Sequence, residues 1–91
     1  MTFAYLKCDY FPGMFSDEYS VSFRGCEYPK SDLGSVFVSK EQVTQKGKNS
    51  GLVRILIEKT GKETSNIRVV WAKEDSTKFF TVPNEDIIFE N

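Results

Sequence analysis

The sequence predicts an all-β protein, and three observations carry that expectation. Two-residue alternation of apolar and polar side chains recurs six times along the 91 residues. The segments between these runs are rich in turn residues: Pro12-Gly13, the polar 24–34 stretch, QKGKNSG (45–51), TGKETSN (60–66) and EDST (74–77). No window longer than two turns has helical periodicity, so helix is expected only as short turns.

The elements follow in order. FAYLKCDY (3–10) is the first strand, and EYSVSFRG (18–25) the second, with Tyr19, Val21 and Phe23 inward and Glu18, Ser20, Ser22 and Arg24 outward. SVFVS (35–39), GLVRILIEK (51–59), NIRVVWAK (66–73) and KFFTV (78–82) complete the six, and DIIFE (86–90) forms a short tail strand after Pro83. The same alternation turns Val36, Val38, Val53, Ile55, Ile57, Ile67, Val69, Trp71, Phe80 and Val82 toward the core. Each large side chain buried there contributes roughly 1.5–3 kcal/mol before entropy is subtracted.

VFVSKEQV (36–43) and FTVPNEDI (80–87) share the pattern Val-[Ser/Pro]-x-Glu-x-[Val/Ile]. The pattern suits a strand that ends in one helical turn and then returns an aliphatic residue to the core. Pro83 has the φ of a first helical position, and Ser39 is a cap to which Gln42 can reach back. Each copy ends a run of three strands, so the chain reads as a β-β-β-turn unit repeated over 3–43 and 51–89, within one β-barrel domain spanning 1–91.

Six short strands with one apolar face bury it by rolling up, which also removes open edges. VVWAKEDSTKFFTVPNEDIIF resembles the end of a Src-homology-3-like barrel, where a hairpin runs into a proline, a tight turn and a last short strand. CDYFPGMFSDEYSVSF resembles the opening of that fold. The paired tryptophans of its peptide-binding members are absent, since Trp71 stands alone. The resemblance therefore implies a small six-stranded barrel and no binding residues.

Composition narrows the chemistry. The chain has no histidine and two cysteines, Cys8 and Cys26, so imidazole dyads and four-thiolate sites are ruled out within one chain. The cysteines lie on or beside neighbouring strands, which permits a disulfide, but two free thiols in a reducing cytosol is the favoured reading. The carboxylate pairs Asp17/Glu18, Glu74/Asp75 and Glu85/Asp86 are sequence neighbours at turns rather than acid and base across a cleft. QKGKNSG lacks phosphate-loop spacing. No enzyme activity, metal or cofactor is expected. With 12 basic and 13 acidic residues, bulk attraction to nucleic acid or anionic membrane is not expected either. No basic segment precedes an apolar run of signal-peptide length, and no run approaches the ~20 residues of a membrane span, so the expected location is the cytoplasm.

The remaining residues suggest binding. Phe37, Leu56, Val70, Phe79 and Ile88 fall on the outward side of their strands, which points to a face buried against a second copy or another protein. Phe11, Met14 and Phe15 flank the Pro-Gly turn, where they either cap an end of the barrel or meet a partner. The leading expectation is a non-enzymatic binding or assembly module that self-associates. A second is a nucleic-acid-binding barrel using Lys40, Lys46, Lys48, Arg54, Lys59 and Lys62. A third is a small-ligand sensor with a concave cluster of Tyr10, Phe11, Met14, Phe15 and Tyr28.

Overall fold

The computed structural model describes residues 2–24, 36–70 and 79–89. Among them, β1 (Thr2–Pro12) and β5 (Ser50–Thr60) are the longest strands, and they pair antiparallel at the centre of one curled, barrel-like sheet. β2 (Glu18–Ser22) and β3 (Val36–Ser39) extend it on one side, and β6 (Thr64–Val69) and β7 (Phe80–Pro83) on the other. Two three-residue strands complete it: β4 (Val43–Gln45) pairs with β5, and β8 (Ile87–Phe89) with β1. Each follows a 3-10 turn, at Lys40–Gln42 and Asn84–Asp86. The protein is all-β with an antiparallel sheet, and its helical content in the described residues is these short turns.

The two Val-[Ser/Pro]-x-Glu-x-[Val/Ile] segments have the same backbone. Ser39 (φ −64°, ψ 142°) and Pro83 (φ −64°, ψ 137°) are both extended residues immediately before a 3-10 turn. The Val43 and Ile87 N–H groups close the turns onto Lys40 O and Asn84 O. Both aliphatic side chains then enter the core, as the pattern predicts. Ser39 makes no side-chain cap hydrogen bond, contrary to the capping expectation. Its backbone is still held as strand opposite Glu18, and a three-residue turn needs no further donor or acceptor.

The correspondence extends to pairing. Leu6 lies opposite Ile87 as Val53 lies opposite Val43, and Leu6 and Val53 lie opposite each other. Tyr10↔Val21 corresponds to Ile57↔Ile67, and Glu18↔Ser39 to Thr64↔Pro83. An approximate two-fold axis thus passes through the Leu6–Val53 pair. Each half lends its last strand to the first strand of the other, so neither half closes its own sheet. The register shift between Ile57 and Lys59 breaks the symmetry locally. The turns dock alike on the hairpin loops, with Lys40 N–H donating to Asp17 O and Asn84 N–H to Glu63 O, at 3.1 and 2.9 Å.

Of the expected core, Val21, Val36, Val38, Val53, Ile55, Ile57, Ile67, Val69, Phe80 and Val82 are buried. Tyr19 and Phe23 are only partly buried and pack on its margin, while Trp71 lies outside the described residues. The inner face of β1 supplies Ala4, Leu6, Cys8 and Tyr10, which alternation within β1 did not single out. β1 is flanked along both edges, by β5 on one side and by β8 and β2 in succession on the other, so its inner face lies at the centre of the core. Gly51 marks a close crossing of strands. A Cβ there would lie 2.6 Å from Thr44 O and 3.3 Å from the Tyr10 ring, so β4 and β1 can approach only a residue without a side chain.

Candidate functional site

The β1–β2 hairpin presents an apolar tip whose backbone is hydrogen-bonded to Glu18. Glu18, expected to face solvent, is 3% exposed. Its Oε1 accepts the backbone N–H groups of Met14 and Phe15 at 2.8 and 3.1 Å, and Gly13 N–H donates to Glu18 O. Burying a carboxylate is costly unless it is hydrogen-bonded, and these two bonds offset that cost by ordering the loop. The result holds Met14 79% and Phe15 65% exposed. Neither caps the sheet. Phe11, 46% exposed, lies on the outer face of β1 opposite Ser20, which lies opposite half-buried Phe37 on β3. Register therefore places Phe11 and Phe37 on the same outer face, on either side of Ser20. Tyr10 points the other way. It is buried, its ring centroid lies 4.9 Å from that of Tyr19, and its hydroxyl donates to Gly47 O. Tyr10 and Phe11 therefore do not share a pocket, and Tyr28 lies outside the described residues.

Leu56, Val70, Phe79 and Ile88 form a separate surface on the outer face of the other half. Register places Phe3, Leu56 and Arg68 in one row across β1, β5 and β6, with Phe79 at its end. The adjacent row runs Ile88, Tyr5, Arg54, and Val70 N–H closes it onto Arg54 O. Two guanidiniums lie over rings: Arg54 Cζ is 4.8 Å from the Phe3 centroid and 6.0 Å from that of Tyr5, and Arg68 Cζ is 4.8 Å from Phe79. Arg68 Nη2 pairs with Glu58 Oε1 at 3.2 Å, while Arg68 Nε is buried without a hydrogen-bond acceptor. Phe3, Tyr5 and Arg68 were not singled out from the sequence. Their signal is an aromatic or arginine at some outward positions of the paired strands, Phe3 and Tyr5 on β1, Arg54 on β5 and Arg68 on β6, and their grouping is readable only once the pairing is known.

The basic residues of 40–62 do not converge. Lys46 and Lys48 sit in the β4–β5 turn, and Lys59 and Lys62 at the far end of β5. At roughly 3.4 Å per residue, β5 holds these pairs about 30 Å apart. Lys40, on the first 3-10 turn, has its Nζ 5.0 Å from the centroid of Tyr19. Of the six, Arg54 alone belongs to the aromatic face.

Between β2 and β8, along one edge of β1, lies an open cleft of about 590 Å³ whose lining includes Lys7, Cys8, Phe23, Arg24, Leu52 and Asp86. Arg24 closes its rim, donating from Nε and Nη2 to Asp86 at 2.8 and 2.5 Å and from Nη2 to Glu85 at 2.7 Å. The hydrogen bonds from Arg24 hold the Asp86 carboxyl below its ordinary value, against an opposing effect of burial. Such a group stabilises the fold above its unfolded pKa of about 4, and that contribution is lost as pH falls through the lower folded value. Urea midpoints measured from pH 7 to pH 2 are expected to fall less steeply below pH 4 in Asp86→Asn than in the unmodified chain. An unchanged acid slope would remove Asp86 from the acid response. Burial, and to a smaller degree Asp9, pushes the free Cys8 thiol up to about 12, so it stays protonated at neutral pH. Cys26 lies outside the described residues.

Among the described residues, no group of three or more Cys, Asp or Glu side chains is arranged to hold a metal ion. None of their helices is long and apolar enough to cross a membrane. In comparisons with protein-family models, curated proteins and solved structures, no significant match to the chain was found.

Proposed function

We propose that the protein is a non-enzymatic binding and assembly module, a small barrel of Src-homology-3-like architecture that self-associates through the β1–β2 hairpin tip. The observation that carries this reading is the buried Glu18 carboxylate holding Met14 and Phe15 out in water. A flexible tip could fold its side chains back onto the sheet, whereas an ordered one keeps two large apolar groups exposed at continuing cost. Contact with a second copy recovers that cost. Phe11 and Phe37 lie on one outer face of the adjoining strands, giving a contact wider than the loop alone. The free, buried Cys8 thiol suits a cytoplasmic setting.

Sedimentation velocity or light scattering across micromolar to millimolar concentration tests the reading. Mass is expected to rise with concentration in the unmodified chain and to remain monomeric in the Met14→Ser/Phe15→Ser double variant. Both side chains are exposed, so the thermal midpoint is expected to stay within a few degrees. A chain that is monomeric at high micromolar concentration would overturn the proposal.

A further inference from the structure

The sheet is shared by two halves, β1 to β4 and β5 to β8, joined by the loop 46–49. Among the described residues, its longest pairing crosses between them, from Thr2↔Ile57 to Asp9↔Ser50. β4 and β8 add their own pairings across the same boundary. The buried side chains there, Ala4, Leu6, Val53, Ile55 and Ile87, come from both halves. A half therefore needs the other half to complete its core, and it needs no particular tether. The β1–β5 and β1–β8 registers are the same whether the opposite half belongs to the same chain or to a second copy.

The loop is where own and foreign halves differ. The Lys46 and Gly47 N–H groups both donate to Ser50 O, at 3.0 and 2.9 Å, and turn the chain back between β4 and β5. Tyr10 fastens that turn to β1. Its hydroxyl donates to Gly47 O at 3.0 Å and its N–H to Asn49 O at 2.8 Å, while Asn49 Nδ2 donates to Tyr10 O at 3.3 Å.

From this arrangement we infer that the protein exchanges halves with a second copy, the loop 46–49 opening as the hinge and Tyr10 acting as its latch. The product is a closed dimer of two complete sheets, each combining β1 to β4 of one chain with β5 to β8 of the other. The partner surface is the one each half already presents to its own chain, so shape and register need no change. A short tether gives the chain's own half an effective concentration of about 1 mM, so dimer and monomer are comparable within roughly tenfold of that protein concentration. Exchange requires the β1–β5 ladder to open, so it occurs as chains fold together, and folded monomers brought to the same concentration stay as they are. This contact is independent of the hairpin tip.

Complementation between two full-length chains tests the inference, with Met14→Ser/Phe15→Ser in both so that contact through the tip is removed. One chain carries Ala4→Asp/Leu6→Asp and the other Val53→Asp/Ile55→Asp, charges at wholly buried positions that unfold each chain alone. A folding constant on the order of 10³ or more and an effective concentration of about 1 mM put the dissociation constant of the exchanged pair near ~1 µM or below. Mixed at about 50 µM each, the two chains are therefore expected to form a species with the mass of two chains. Its β-sheet circular dichroism should reach about half that of the folded chain, because only the two unsubstituted halves form a sheet. In a second measurement, the Met14→Ser/Phe15→Ser chain is refolded from urea at about 1 mM. It is expected to yield a dimer that dilution into native buffer leaves intact and that dilute refolding returns to monomer. Tyr10→Phe is expected to raise the dimer-to-monomer ratio about two- to tenfold, by removing one latch hydrogen bond. A mixture whose signal equals the sum of its separate components overturns the inference. So does a chain that refolds only to monomer at that concentration.

Discussion

Leu6→Ala is expected to destabilise the protein by about 2–5 kcal/mol, the range for a leucine truncated in a core that cannot fully collapse. Leu6 is 0% exposed and lies opposite Val53 at the approximate two-fold axis, with Ile87 on its other flank. Three strands from both halves therefore border the cavity, and none can move in without breaking a paired edge. A chain of this size has total stability on the order of 5–14 kcal/mol, so the substitution removes a large fraction of it. With a urea m-value of about 1.5 kcal/mol/M, the midpoint is expected to fall by at least roughly 1.3 M. Phe3→Ala, on the same strand but 45% exposed, is expected to shift it much less. Equal shifts for the two would contradict a core centred on the inner face of β1.

Glu18→Ala is expected to cost about 1–3 kcal/mol, because the Met14 and Phe15 N–H groups lose their acceptor while remaining partly buried. The cost is moderated because the variant also removes a buried charge. The functional effect is expected to exceed the effect on stability. Hydrogen exchange at the Met14 and Phe15 amides should become fast, while the Val21 amide in β2 stays protected. Self-association should weaken nearly as far as in Met14→Ser/Phe15→Ser, although both apolar side chains are still present. Glu18→Gln keeps an acceptor oxygen and should restore much of both properties. Undiminished association in a folded Glu18→Ala variant would show that ordering of the tip is irrelevant to contact.

These two residues also show where sequence reasoning succeeds and where it stops. The six-residue repeat was legible because its content is local. A proline-compatible φ, a short turn and an aliphatic residue at a set spacing place Val43 and Ile87 alike in both halves. The inward sides of β5, β6 and β7 were legible for a similar reason, since one face of each is apolar apart from buried Ser65 at the start of β6. Glu18 misled because an acidic residue beside a turn ordinarily faces water. Its burial depends on two backbone donors across the loop, a relation that no periodicity carries. Phe11, Met14 and Phe15 stood out as unexplained apolar residues, and the structure turns them outward rather than over an end of the sheet.

The candidate surfaces divide along the same line. Outward apolar residues were identifiable one strand at a time, but their grouping was not. Phe37 joins Phe11 through Ser20, whereas Leu56 and Phe79 join Phe3 and Arg68, because strand neighbours are set by long-range pairing. Alternation states that a residue faces out and leaves open what lies 4.8 Å beside it. The lysines illustrate the converse, being close in sequence yet carried to opposite ends of β5.

Local pattern sufficed for the all-β class, the two 3-10 turns, most of the core of β3, β5, β6 and β7, and the list of outward apolar side chains. Each of these depends on the conformation and polarity of residues within a few positions of one another. The assembled chain was needed to put β1 at the centre, to exchange β4 and β8 between halves, to bury Glu18 and to set Arg54 and Arg68 against aromatic rings. Those outcomes depend on contacts between segments tens of residues apart, where the energy gained by pairing and burial, rather than local preference, selects the neighbour.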